Sequence, residues 1–140
     1  MSFLIVLNAI IFTFLSLLHI YWATGGKWGI NVAVPTRTQK EKVIRPSAFG
    51  TFIVGLGLLL FALVTLGNLA LFEAFIPQRS ITIGTYVIGC IFLLRAIGDF
   101  KFIGLFKIIK NTPFAKKDTA YYTPLCLVIS GISFAVAIYH

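Results

Sequence analysis

The sequence predicts an all-α polytopic membrane protein, a bundle of four transmembrane helices. Of its 140 residues, 59% are hydrophobic and only 11% are charged, and the mean hydropathy is +0.97. A soluble domain carries roughly 25% charged residues, so the bilayer must solvate much of this apolar surface. The apolar residues fall into four segments, each close to the length of about 20 residues that crosses a bilayer. Since four spans leave only short connections, we expect residues 1–140 to form a single domain.

The basic residues predict how the bundle is oriented. Ten of the twelve Lys and Arg residues lie in two loops, which fall on the same side of a four-span protein: Lys27, Arg37, Lys40, Lys42 and Arg45 in one, Lys101, Lys107, Lys110, Lys116 and Lys117 in the other. The positive-inside bias makes that side the cytoplasm, so both termini are predicted to be extracytoplasmic. We therefore expect a multi-pass protein of the cell membrane. Its basic loops meet lipid headgroups, and no nucleic-acid partner is expected.

The first two spans are predicted at about residues 3–23 and 47–71. The first ends before the turn signal Gly25-Gly26. In the second, Ser47, Thr51 and Gly55 recur every four residues, and small residues at this spacing let helices approach closely in lipid. We therefore expect this face of the second span to pack on a neighbour.

The other two spans are predicted at about residues 80–98 and 120–139. The segment 100–109 between them is apolar but contains two lysines. It either lies in the membrane interface or extends the third helix, and its pattern does not choose between these. The four spans bring the candidate site residues to the end that carries the basic loops, and the outer halves are expected to carry little beyond packing residues.

His19 is the first candidate for chemistry. It belongs to a stripe on one side of the first helix, together with Asn8, Phe12, Ser16 and Trp22. Polar side chains on a membrane helix face protein or a cavity, because unpaired polar groups in hydrocarbon cost several kcal/mol. His19 therefore forms an interhelical hydrogen bond, or it carries a proton or contacts a ligand.

Arg95 and Asp99 are the second candidates. They lie four residues apart at the inner end of the third helix, so their side chains can meet. Charges at this depth are expensive unless they are paired or face water. One interpretation is a structural salt bridge. The other makes Arg95 an anion clamp that Asp99 orients, since a guanidinium matches carboxylate or phosphate.

Aromatic residues and glycines form the third group. Trp22, Trp28 and Tyr121 are typical of the aromatic belt at a membrane interface, while Gly25 and Gly26 allow a tight turn or close approach to a ligand. The glycines match neither a Walker motif nor a dinucleotide fingerprint. The two cysteines, Cys90 and Cys126, form no C-x-x-C pair and are expected to be packing residues, so no metal site is predicted.

Several motifs together resemble a known family. They are His19-Ile20-Tyr21-Trp22-Ala23-x-Gly25-Gly26-x-Trp28-Gly29, Pro35-Thr36, Arg95-Ala96-Ile97-Gly98-Asp99-Phe100 and Pro124-Leu125-Cys126. These are similar to a bacterial family of small four-helix membrane proteins that is defined as a domain of unknown function. The resemblance covers essentially the whole chain. It implies four spans in a bacterial plasma membrane, and it implies no activity.

The candidate residues come from three spans and converge in one inner-leaflet layer. The leading hypothesis is a binding protein for a small anionic or amphipathic ligand, or a lipid headgroup, with these contacts: His19, Trp22, Gly25, Gly26, Trp28, Arg95, Asp99 and Tyr121. The alternatives are an intramembrane enzyme with His19 and Asp99 as acid and base, an oligomeric transporter, and an accessory subunit without a ligand. A transporter would work as a homo-oligomer, since four short helices enclose little space. The sequence names no cofactor.

Overall fold

The computed structural model describes residues 1–28, 47–98 and 116–140. Four α-helices account for most of them: α1 (Ser2–Ala23), α2 (Ala48–Gly67), α3 (Gln78–Ile97) and α4 (Thr123–Tyr139). A π-helical turn, Asp118–Tyr122, leads into α4. Each helix, α4 together with part of this turn, is long and apolar enough to cross a bilayer, and the described ranges contain no strand. The protein is an all-α, multi-pass membrane protein, as predicted.

The bounds of α2 follow from side-chain caps. Its first turn is capped by Ser47, whose Oγ accepts a hydrogen bond from the Gly50 N–H at 3.0 Å. This satisfies one of the free N–H groups at a helix start. The span predicted to reach residue 71 ends at Gly67, and Asn68 turns its side chain back to donate to the Thr65 carbonyl at 3.2 Å. An asparagine that bonds its own backbone in this way favours a turn over further helix.

The side chains are arranged for a lipid solvent, with small and polar groups inside and large apolar groups outside. Between 28% and 39% of each span is buried within the protein. Large side chains such as Phe14, Leu60 and Leu94 are exposed on the helix faces. The buried polar residues include Asn8, Ser16, Thr51, Thr65, Asn68, Thr85, Thr123, Ser130 and Ser133. Association in lipid depends on close packing and interhelical hydrogen bonds, and this distribution supplies both.

The helices form two hairpins, since α1 packs mainly on α2 and α3 mainly on α4. Each hairpin contains one serine–glycine contact. Ser16 donates to the Gly55 carbonyl at 2.6 Å, and Ser130 donates to the Gly89 carbonyl at 2.9 Å. Both contacts leave little room for a side chain, because an added Cβ would lie 3.3 Å from the Ser16 carbonyl in one hairpin and 3.1 Å from the Phe134 ring in the other.

The hairpins are joined across their seam at one end of the bundle. Asn8 of α1 donates to Ser133 Oγ of α4 at 3.2 Å, and Asn68, just after α2, donates to Thr85 Oγ of α3 at 2.8 Å. We call this the closed end; it holds the chain termini and the connection from α2 to α3. The opposite end, where α1 and α3 finish and α2 and α4 begin, is called the open end.

Candidate functional site

A cavity of about 730 Å³ lies at the open end and has walls from all four helices. Five of the eight predicted site residues line it: His19, Trp22, Trp28, Arg95 and Tyr121. Towards the middle of the bundle it ends on an aromatic cluster, Phe12, Phe61 and Phe92, whose ring centroids lie 5.4 to 6.2 Å apart. Five of the residues expected to converge from the topology thus border one partly open cavity.

The cavity is apolar inside and polar at its rim. Its inner walls are side chains such as Leu15, Leu58 and Phe61. Arg95 and Lys117 bring positive charge to the rim, and among the described residues that line the cavity none is a carboxylate. The site therefore combines a hydrophobic interior with a cationic edge.

The turn after α1 places both tryptophans. The Gly25 N–H donates to the Trp22 carbonyl at 3.2 Å and the Gly26 N–H donates to the Tyr21 carbonyl at 3.0 Å. These two bonds form a Schellman motif, which needs a residue with positive φ. Gly25 provides it with φ of 107°, and a Cβ at Gly26 would overlap the Tyr21 ring. Gly25 and Gly26, predicted as ligand contacts, lie outside the cavity lining and shape this turn.

The turn folds back onto the helix that precedes it. The Trp22 indole N–H donates to the Trp28 carbonyl at 2.7 Å, and the Trp28 N–H donates to the Tyr21 hydroxyl at 3.4 Å. Because its indole is tied to this backbone, Trp22 cannot rotate without disrupting the turn. The two tryptophans of the chain thus form one wall of the cavity.

His19 lies on the same wall. Its Nδ1 is 2.7 Å from the Leu15 carbonyl, and its ring meets the Trp22 ring edge to face with centroids 5.1 Å apart. The predicted stripe does face inward: Asn8, Phe12 and Ser16 are buried, and His19 and Trp22 border the cavity. One hypothesis gave His19 an interhelical hydrogen bond. The structure instead shows a hydrogen bond to the Leu15 carbonyl of its own helix.

The cationic side of the rim comes from α3 and from the approach to α4. Arg95 lies in the last turn of α3, which ends at Ile97 and is capped by Gly98 with φ of 87°. Lys117 Nζ lies 4.9 Å from the centre of the Tyr121 ring, within range of a cation–π interaction. Asp99, the predicted partner of Arg95, lies outside the described residues.

Pro124 explains the wide turn before α4. It is the second residue of that helix and has no N–H to donate to the carbonyl four residues earlier, so the regular ladder cannot continue through it. The π-helical turn at residues 118–122 replaces the ladder at this point. Such turns are frequent at functional sites. Tyr121 and Tyr122 lie in it and line the cavity.

Among the lining residues with polar or ionisable side chains, the sequence analysis missed three. Lys117 was placed in a basic loop, Cys126 was expected to be a packing residue, and Tyr122 was not predicted to contact a ligand, yet all three border the cavity. The spacing of Lys117, Tyr121 and Leu125 at four residues could have indicated one common face. Cys126 is buried whereas Cys90 is exposed, so the two thiols occupy different surroundings. Within the described residues no three His, Cys, Asp or Glu side chains are placed to hold a metal ion.

Comparison with known proteins gives one result. A family model described as "Protein of unknown function (DUF3995)" matches residues 12–133. No curated protein and no solved structure matches the chain. The matched range contains every residue that lines the cavity.

Proposed function

The chain belongs to the DUF3995 family, to which no activity is assigned, and we propose that it binds a small amphipathic anion in the cavity at the open end. Its volume, about 730 Å³, falls in the range of about 300–1,000 Å³ that is usual for small-molecule sites. Such sites have apolar walls and a few polar groups that orient the ligand. The cavity has this division, with its polar groups gathered at one rim.

The charge distribution is the observation that carries this proposal. Arg95 and Lys117 approach the cavity from two different helical segments, and Tyr121 lies beside Lys117. Arg95 is half-buried and Lys117 is exposed, and a cleft lined by charges of one sign attracts ions of the opposite sign. A carboxylate or phosphate at this rim would be paired by the Arg95 fork and the Lys117 ammonium.

The exposed side of the cavity supports the proposal that the ligand has an apolar part. Three lining residues are also substantially exposed on the faces that meet lipid: Phe14 at 61%, Val54 at 49% and Ile91 at 42%. Their exposure supports a cavity that opens sideways toward the hydrocarbon of the bilayer. An amphiphile could enter sideways from the membrane and keep its headgroup at the cationic rim.

The orientation predicted from the basic loops places this rim in the cytoplasmic leaflet of the cell membrane. The ligand would then come from the inner leaflet or the cytoplasm. The aromatic cluster and the hydrogen-bonded closed end favour a binding protein over a transporter, because both lie across the route to the opposite leaflet.

The proposal is tested by what the purified protein retains. Gentle extraction in a mild detergent followed by native mass spectrometry should detect an acidic amphiphile bound to the wild-type protein. The double variant Arg95→Gln, Lys117→Gln should lose it. Arg95→Lys keeps the charge but not the planar fork, and it should retain the ligand weakly.

Arg79→Gln is the matched control, because Arg79 is an exposed cation in the first turn of the same helix, at the closed end. This variant should keep the ligand in full. Wild-type retention by the double variant, with an unchanged melting temperature, would contradict an anion site at the open end.

A further inference from the structure

We propose that the ligand carries a hydroxyl group next to its anion, and that Nε2 of His19 accepts the hydrogen bond from this hydroxyl. The inference rests on the proposed function and names the ligand more closely. The class that fits is a single-chain lipid with a hydroxylated phosphate headgroup. His19 is then the residue that selects among anionic lipids.

The bond between His19 and Leu15 decides which ring nitrogen is available. A backbone carbonyl can only accept, so the 2.7 Å contact requires a proton on Nδ1. In the neutral imidazole, Nε2 then carries the lone pair. Nε2 has no hydrogen-bond partner among the described residues, and His19 borders the cavity. The wall thus presents an acceptor to whatever occupies the space.

The ring is also held in place from several sides. Trp22 packs on it edge to face, with 67° between the ring planes. Behind it, a Cβ built at Gly55 would be only 3.5 Å from His19 Cβ, so α2 packs directly against the base of this side chain. The Ser16 bond to the Gly55 carbonyl keeps the two helices at this separation. A side chain ordered before binding loses little entropy when it accepts a hydrogen bond.

Two other residues that line the cavity have the complementary chemistry. Arg95 and Lys117 donate hydrogen bonds and do not accept them. An anion with acceptors alone would interact with these two cations but would leave the lone pair of Nε2 without a donor. A ligand with a hydroxyl close to its anion supplies a donor to Nε2 while the anion interacts with the cations. Glycerol phosphate headgroups have this combination, and their acyl chain would occupy the apolar interior.

The experiment compares two lipids that differ by one hydroxyl group. One is a 1-acylglycerol 3-phosphate, and the other is its analogue without the hydroxyl at the second glycerol carbon. Binding is followed in detergent by tryptophan fluorescence, which reports on this cavity because both tryptophans of the chain line it. The wild-type protein should bind the hydroxylated lipid about tenfold more tightly, the factor expected for one hydrogen bond of about average strength or slightly more.

His19→Phe should remove this preference by weakening the hydroxylated lipid to the affinity of its analogue, which itself should bind unchanged. If this variant does not fold, the two lipids on the wild-type protein still decide the question. Equal affinity of the two lipids would overturn the role of His19 and leave the binding function standing. Failure of both lipids to bind the wild-type protein would overturn the proposed function and the inference together.

Discussion

The two ends of the bundle handle their polar residues in opposite ways. At the closed end, Asn8 with Ser133 and Asn68 with Thr85 join the hairpins by hydrogen bonds across the seam. At the open end, His19 and Arg95 are among the polar residues that border a cavity of about 730 Å³. Protein interiors are usually packed without voids of that size. The contrast shows that the seam can be filled in this fold, and that at the open end it is not.

The test of membrane orientation has the largest expected effect, because a fused reporter is either active or silent. The positive-inside bias predicts that the open end faces the cytoplasm and that both termini face outward. A periplasmic phosphatase reporter fused after His140 should therefore be active, and the same reporter fused after Lys40 should be silent. Activity reversed between the two fusions would put the open end on the outer side and remove the argument for a ligand from the inner leaflet.

Gly55→Leu should produce the largest loss of stability, because it separates α1 from α2 along the whole hairpin. A Cβ there would already lie 3.0 Å from Ile20 Cγ1 and 3.3 Å from the Ser16 carbonyl. Overpacking of this kind costs about 1–3 kcal/mol, which thermal unfolding in detergent can measure.

Gly131→Leu is the control for this change, since a Cβ at Gly131 meets nothing within 4 Å and the residue is exposed. It should leave the melting temperature nearly unchanged. Equal melting temperatures for both variants would show that Gly55 does not set the distance between the helices.

Much of this architecture is predictable from the sequence, for physical reasons that also set the limit. Hydropathy identified the four helices because a bilayer demands long apolar segments. The position of Asn68, however, fixes the end of α2 through side-chain bonds that hydropathy does not detect. Periodicity showed which side of α1 carries His19, but it cannot show which neighbouring helix that side meets.

The candidate site was predicted only in part, because the sequence shows the depth of a residue along its helix but not which way its side chain points. Because the rise of an α-helix is regular, the sequence correctly predicted that Trp22 and Arg95 lie at a similar depth along the bundle. Lys117 borders the cavity just before the π-helical turn that precedes Pro124, and a π-helical turn directs side chains differently from a regular α-helix. Gly25 and Gly26 were correctly identified as special, but their role is to form the turn that carries Trp28.

A double-mutant cycle at the closed end should show a smaller effect. Asn68→Leu and Thr85→Val each remove one side of the 2.8 Å hydrogen bond across the seam. Hydrogen bonds between membrane helices average about 0.6 kcal/mol and reach about 1.7 kcal/mol. The cycle, measured by unfolding in detergent, should give a coupling within this range.

Thr82→Val provides the comparison for this cycle. Thr82 lies almost one turn from Thr85 and bonds the Gln78 carbonyl of its own helix. Its combination with Asn68→Leu should be additive, since the two side chains share no bond. If the Thr82 pair couples as strongly as the Thr85 pair, the closed end is not held by this particular contact.

Gly57→Leu should have the smallest effect on stability and therefore tests the open end most sharply. Gly57 lies two residues from Gly55 on the same helix, yet a Cβ there meets nothing within 4 Å, because it projects into the cavity. The larger side chain fills space that the ligand would use. We expect the free energy of unfolding to change by no more than about 0.5 kcal/mol, as for substitutions that disturb no packing. The co-purifying amphiphile should nevertheless be lost, whereas Gly131→Leu, which lies outside the cavity lining, should retain it. A folded Gly57→Leu protein that still retains the amphiphile would mean that the ligand binds elsewhere and that the cavity is an unfilled part of the seam.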